Sequence, residues 1–151
     1  MRPVRVAAKA VIVREGKLLA LRKAGKTGDY FMLPGGGHEV GETLEETLRR
    51  ECREETGADI GIGQVIWIRD YQEGNHEFAH RRPDFHQLEI MFRCELVSEP
   101  DMASRGDTDQ LGLVWIPLDE IEQWPFYPQA LRSRLATRIP DAGATYLGDV
   151  N

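Results

Sequence analysis

Thr43 to Thr56 carries both end signals of a helix, and the residues between them restrict the chain more than any other stretch does. Thr43 with Glu46 three residues on is a capping box, in which hydroxyl and carboxylate satisfy amides the first turn leaves unpaired, and Gly57 supplies the matching stop. At about 100° per residue, Leu44, Leu48 and Cys52 fall in one apolar stripe, which a surface helix needs to dock on a sheet. Glu51 and Glu55 fall within that stripe with Glu54 beside it, while Glu45, Arg49 and Arg53 take the solvent side. Carboxylates crowded at a helix C-terminus repel one another and meet the unfavourable end of the macrodipole. A solvated acidic face with Arg50 and Arg53 as partners is the ordinary reading of such a run; its placement inside the apolar stripe argues instead for a bound hard cation, of which magnesium is the natural one.

Around this helix the pattern is mostly strand. Val4 to Val13 and Lys17 to Arg22 flank Gly16 as a hairpin, and Tyr30 to Leu33 is a short apolar strand running into Pro34 and three consecutive glycines, where the backbone must turn sharply or approach a ligand. Ile60 to Tyr71, His86 to Val97 and Gly112 to Ile116 read as further strands. Pro117 to Glu120 looks like a helix start, Gln129 to Arg138 like a last helix, and residues from about 140 to 151 like a loosely held tail. With no repeat or linker, residues 1–151 read as a single layered α/β domain with an at least partly antiparallel sheet.

The 151 residues are enough to bury a core, and 41% hydrophobic with 29% charged is ordinary globular usage. A net charge of -6 argues against binding nucleic-acid polymers, which relies on many basic residues. Two cysteines are too few for a disulfide framework, and Met1-Arg2-Pro3-Val4 leads straight into a strand-like segment. No apolar run approaches the roughly 20 residues that span a bilayer. A cytoplasmic protein without a membrane partner is the expectation.

Gly36 to Ala58, GGHEVGETLEETLRRECREETGA, resembles the Nudix box, with Gly36, Glu42, Arg50, Glu51, Glu54, Glu55 and Gly57 in register; Cys52 and Ala58 stand where larger aliphatics are more usual. Leu33-Pro34-Gly35-Gly36 and Trp115 to Glu120 also look like features of the Nudix hydrolase family, a resemblance to MutT-like proteins that includes the ADP-ribose pyrophosphatase-like branch. It implies an α/β/α sandwich around a mixed sheet, with hydrolysis of a diphosphate linkage in a small nucleotide-like molecule such as an ADP-ribose-like compound, a nucleotide sugar or a nucleoside triphosphate. It also implies magnesium, or manganese in its place, held by Glu51, Glu54, Glu55 and the backbone oxygen of Gly36. Arg50 would orient the carboxylates, and Glu42 would support the loop or join the outer coordination shell. For the general base, Glu51, Glu55, Glu89, Asp107 and Asp109 all remain open. A homodimer is among the assemblies expected.

His76-Glu77-Phe78-Ala79-His80 spells HExxH, a zinc-peptidase helix motif, but Gly74-Asn75 and Pro83 leave barely two turns for it. A zinc hydrolase is therefore a minor alternative. His76 and His80 read as loop residues; Tyr30 and Phe78 are candidates to stack on a base, and Arg81 and Arg82 to meet phosphate or ribose. A catalytically silent nucleotide-binding module of the same fold is the other alternative, disfavoured because no box carboxylate is missing.

Overall fold

The computed structural model describes residues 2–106 and 109–151. Among them are strands β1 (Arg5–Arg14), β2 (Lys17–Lys23), β3 (Tyr30–Met32), β4 (Gly35–Gly37), β5 (Ile60–Gln72), β6 (His86–Leu96), β7 (Gln110–Pro117) and β8 (Thr145–Asp149), with helices α1 (Leu44–Thr56) and α2 (Arg132–Thr137). The strands join in the order β3-β2-β1-β6-β5-β8, with β4 beside β1 and β7 beside β2. The β1–β6 and β5–β8 pairs are parallel and the others antiparallel, so the sheet is mixed.

Strand alternation sorts β1 onto two cores. Ala8, Ala10 and Ile12 pack with Leu48 and Cys52 of α1 on one face. Val11 joins Trp67 and Met91 on the other, covered by Leu131, Leu135 of α2 and Ile121. Helical layers thus lie on both faces, the α/β/α sandwich expected.

Four local expectations are corrected. The 140–151 tail is not loosely held: β8 pairs with β5, Val150 N–H donates to the Asp70 carbonyl, and Asp149 accepts from Gln72 N–H and Asn75 Nδ2 and pairs with His76 Nε2 at 2.7 Å. Gly35 to Gly37 form a short strand against Ala7 to Lys9 rather than a sharp turn. Gln129 to Arg138 splits into a 3-10 turn (Gln129–Leu131) and the short α2, and the helix start at Pro117 becomes a 3-10 turn at Ile121–Gln123. The hairpin, the strands beginning at Ile60 and His86, and the capped helix appear where the sequence places them.

Candidate active site

Both ends of α1 are fixed by the signals in its sequence. The Thr43 hydroxyl accepts from Glu46 N–H at 3.1 Å, and Gly57, at a φ of 74°, donates its N–H to the Arg53 carbonyl. The helix therefore presents its last two turns to β4 in a set rotation. Glu55 is 8% exposed, Glu51 half-buried and Glu54 exposed. Glu55 Oε1 accepts from Gly35 N–H at 2.7 Å. The Glu51 carboxyl lies against Gly36, where a Cβ would come within 2.5 Å of Glu51 Cδ. At Gly35, with a φ of 136°, a Cβ would fall on the Ala8 carbonyl. The glycines of β4 are thus required by sheet and helix approaching from opposite sides.

Arg50 ties this corner together. Its Nε and Nη2 donate to the two oxygens of Glu42 at 2.7 and 2.9 Å, Nη1 donates to Glu51 Oε1 at 2.9 Å, and Nη2 reaches the Gly37 carbonyl at 3.2 Å. The fork matches carboxylate geometry in a way lysine cannot. The hydrogen bond from Arg50 is the main reason the Glu42 carboxyl is held down to about 2. Glu42 Oε1 also accepts from the Thr47 hydroxyl, so loop, helix and glycine strand share one polar joint.

Glu55 stands apart. Burial, reinforced by Glu51, pushes its carboxyl up to about 7 against the opposing influence of Lys9, the Gly35 N–H and Lys23. Its Oε2 accepts no hydrogen bond among the described residues. A buried carboxyl resisting ionisation, beside Glu51 and near an exposed Glu54, is the setting in which a hard cation is most welcome. Among the described residues no three His, Cys, Asp or Glu side chains are already drawn together as a ligand set. The all-oxygen donor chemistry nevertheless fits a divalent ion, and the missing Cβ at Gly36 lets the Glu51 carboxyl lie against the backbone of β4.

The other sequence candidates lie elsewhere. Glu89 of β6, 5% exposed, is held by Arg69 Nε at 2.9 Å and Gln87 Nε2 at 2.7 Å. Burial alone would raise its carboxyl, but Arg69, Lys9 and these hydrogen bonds bring it below the ordinary value. Asp109 is exposed, and Asp107 lies outside the described residues. Tyr30 and Phe78 meet at Tyr127, each edge-on to its ring, with centroids 6.2 and 5.5 Å away. Arg81 sits over Phe78 at 5.8 Å and is exposed. Arg82 is engaged with buried Glu73 at 2.9 Å and stacked over Phe85 at 3.9 Å. His76 to His80 are turns, with His76 stacked on Tyr71 and paired with Asp149, so the two imidazoles do not share a helix face.

Sequence reasoning missed Lys9, Lys23, Gln110 and Tyr127. Both lysines are buried and bear on Glu55; Lys9 interrupts an apolar strand run, which was the available signal, whereas Lys23 follows Arg22 at the end of β2 and offers none. Gln110 Nε2 donates to the Glu55 and Ser104 carbonyls at 2.7 Å each, while its buried Oε1 has no partner among the described residues. Tyr127, set in a Phe-Tyr-Pro run far along the chain, carries no such signal.

A sandwich with a capped acidic helix against a glycine strand defines the class, and the comparisons agree. The NUDIX domain model matches residues 2–135, and the chain belongs to that family of hydrolases. It is 32% identical over 93 residues to an ADP-ribose pyrophosphatase of Methanocaldococcus jannaschii, covering 61% of this chain and 51% of that one. It is 33% identical over 95 residues to the nucleoside triphosphatase NudI of an Enterobacter species, covering 56% and 63%. A NUDIX hydrolase from Nitrosomonas europaea superposes with a TM-score of 0.71 at 23% identity, covering 91% of this chain and 93% of that one, a likeness of fold. The match spans between 36% and 63% of the length of the first curated relatives. Family members generally use divalent cations and act on small nucleotide-like substrates. No helix among the described residues is long and apolar enough to cross a membrane.

Proposed function

We propose that this chain is a magnesium-dependent hydrolase of the diphosphate linkage in a small nucleoside diphosphate derivative, with manganese able to replace magnesium. The observation that carries the reading is Glu55: a carboxyl buried beside Glu51, raised to about 7, and answered by one backbone N–H. Glu51, Glu54, Glu55 and the Gly36 carbonyl would hold the cation, and Arg50 keeps Glu51 and Glu42 oriented towards β4. When bound, divalent ions neutralise the diphosphate and make water a better nucleophile. Of the bases the sequence offers, Glu89 is committed to Arg69 and Glu51 to Arg50, so Glu55, with Oε2 free of hydrogen bonds among the described residues, is the proton acceptor favoured. Tyr30, Phe78 and Tyr127 form the aromatic surface for a base, with Arg81 exposed beside it. The working setting is a cytoplasmic single-domain protein acting on small molecules and not on nucleic-acid polymers, with a homodimer as its assembly.

Names of relatives point to two substrate classes, ADP-ribose and nucleoside triphosphates. A phosphate-release panel over ADP-ribose, nucleotide sugars, dinucleoside polyphosphates and nucleoside triphosphates, with and without magnesium, tests the reading. Turnover of at least one diphosphate, abolished by chelator, is expected. No turnover of any member at saturating magnesium would sink it.

A further inference from the structure

We infer that Lys9 is a substrate-positioning residue whose ammonium receives a non-bridging phosphoryl oxygen of the diphosphate, on the sheet side of the acidic corner. The inference rests on the diphosphate reading above. Lys9 interrupts the run Val6-Ala7-Ala8-Lys9-Ala10-Val11 in the middle of a strand flanked on both sides, by β4 and β6. It is 7% exposed, yet its ammonium makes no hydrogen bond and no ion pair among the described residues. Arg69, on the same sheet face and 5% exposed, shows how this fold treats a buried cation it uses as scaffold: it donates to Glu89 Oε1, the Val150 carbonyl and Asn151 Oδ1 and lies over the Tyr71 ring. The Lys9 ammonium is not among the buried unpartnered side-chain atoms, so it stays open to solvent, and it bears on Glu55 and Glu89 by charge without bonding either; its three donors are therefore available to an anion that arrives later.

Position says which anion. Lys9 shares a face with Val11, opposite the residues that contact α1. Its Cα is paired with Gly35, whose N–H holds Glu55, and on the other side with Met91, two residues from Glu89. Neither nearby carboxylate takes a hydrogen bond from Lys9: Glu55 accepts from Gly35 N–H and Glu89 from Arg69. A diphosphate gathered by a metal at Glu51, Glu54 and Glu55 would bring further negative oxygens to this point. A flexible point charge suits a phosphoryl oxygen whose place is otherwise set by the metal.

The test is calorimetric titration with α,β-methylene-ADP and magnesium of the unsubstituted protein, Lys9→Met and Lys9→Arg, alongside thermal melts of the metal-free proteins. Lys9→Met is expected to bind roughly tenfold to hundredfold more weakly, as for loss of a charge-assisted hydrogen bond. Its melting temperature should be little changed, because no hydrogen bond or ion pair among the described residues is removed, and Lys9→Arg should recover part of the affinity. Unchanged affinity in Lys9→Met overturns the inference, as does a lowered melting temperature with binding intact, the mark of a purely structural cation. Should Lys9→Met fail to fold, the ammonium resonance of Lys9 in the unsubstituted protein decides: it shifts on adding the analogue, and a spectrum that does not move overturns the inference. If the unsubstituted protein cleaves a member of the substrate panel while Lys9→Met binds the analogue normally, the role of Lys9 falls alone. If it neither cleaves nor binds, the diphosphate reading falls with it.

Discussion

Glu55 and Glu89 are buried almost equally, at 8% and 5% exposure, yet burial leaves one carboxyl raised to about 7 and the other below its ordinary value. Desolvation is the largest influence on both, so the difference lies in the neighbours. Glu89 receives the Arg69 guanidinium and the Gln87 amide, a pair made within the sheet between residues paired across β5 and β6. Glu55 receives a single backbone N–H and faces another glutamate. A buried charge the protein has satisfied belongs to its architecture, whereas one left short of partners is held for something outside the chain.

The contrast can be broken most forcefully at Arg69. Arg69→Met should lower stability by about 3–5 kcal/mol, because it strands the Glu89 charge, and Arg69→Met with Glu89→Leu should regain much of that, both read by chemical denaturation. At the other carboxylate the loss should fall on chemistry instead. Glu54→Gln or Glu55→Gln should reduce turnover by on the order of 10²–10³-fold, as for removal of one preorganised electrostatic partner, with the melting temperature of the metal-free protein maintained. Near-normal turnover in either at saturating magnesium would erase the distinction drawn between the two sites.

Acidity sharpens it further. Because the folded-state carboxyl of Glu55 lies above its unfolded value, its protonation favours the folded protein at pH below about 4.5, and that contribution is lost as pH rises to about 7. The loss is on the order of 3 kcal/mol at most. Magnesium should therefore raise the melting temperature more at pH 8 than at pH 5.5, and a shift independent of pH would argue that Glu55 does not meet the ion. The smallest effect is expected at β8, where Asp149→Ala removes the acceptor shared by Gln72 N–H and Asn75 Nδ2 and the partner of His76. A cost of about 1–3 kcal/mol, with faster hydrogen exchange confined to β8 and residues 72–76, is the expected result.

What could be read from the sequence was whatever rested on local periodicity. Thr43, Glu46 and Gly57 fix the helix by bonds within a few residues, and the inward placement of Glu51 and Glu55 follows from rotation alone. β8 escaped because its pairing is with β5, some 80 residues earlier by the Asp70–Asp149 register, and a five-residue strand has no signal of its own. Glu89 was a reasonable candidate base as an acidic residue in a strand; that Arg69 stands opposite it depends on strand register, which sequence leaves open. Lys9 was visible as the interruption of an apolar run, but its nearness to Glu55, like that of Lys23, is tertiary.

The pairing of β8 with β5 bears on the solution behaviour of the protein as well as on its site. β5 is a 13-residue strand, and β8 is the neighbour that covers Trp67 to Asp70 on the side away from β6. Peeled away, it would bare a row of unmet amides and carbonyls, a ready template for a strand from another molecule. Proteolytic loss of residues 145–151 should therefore show itself first as concentration-dependent self-association.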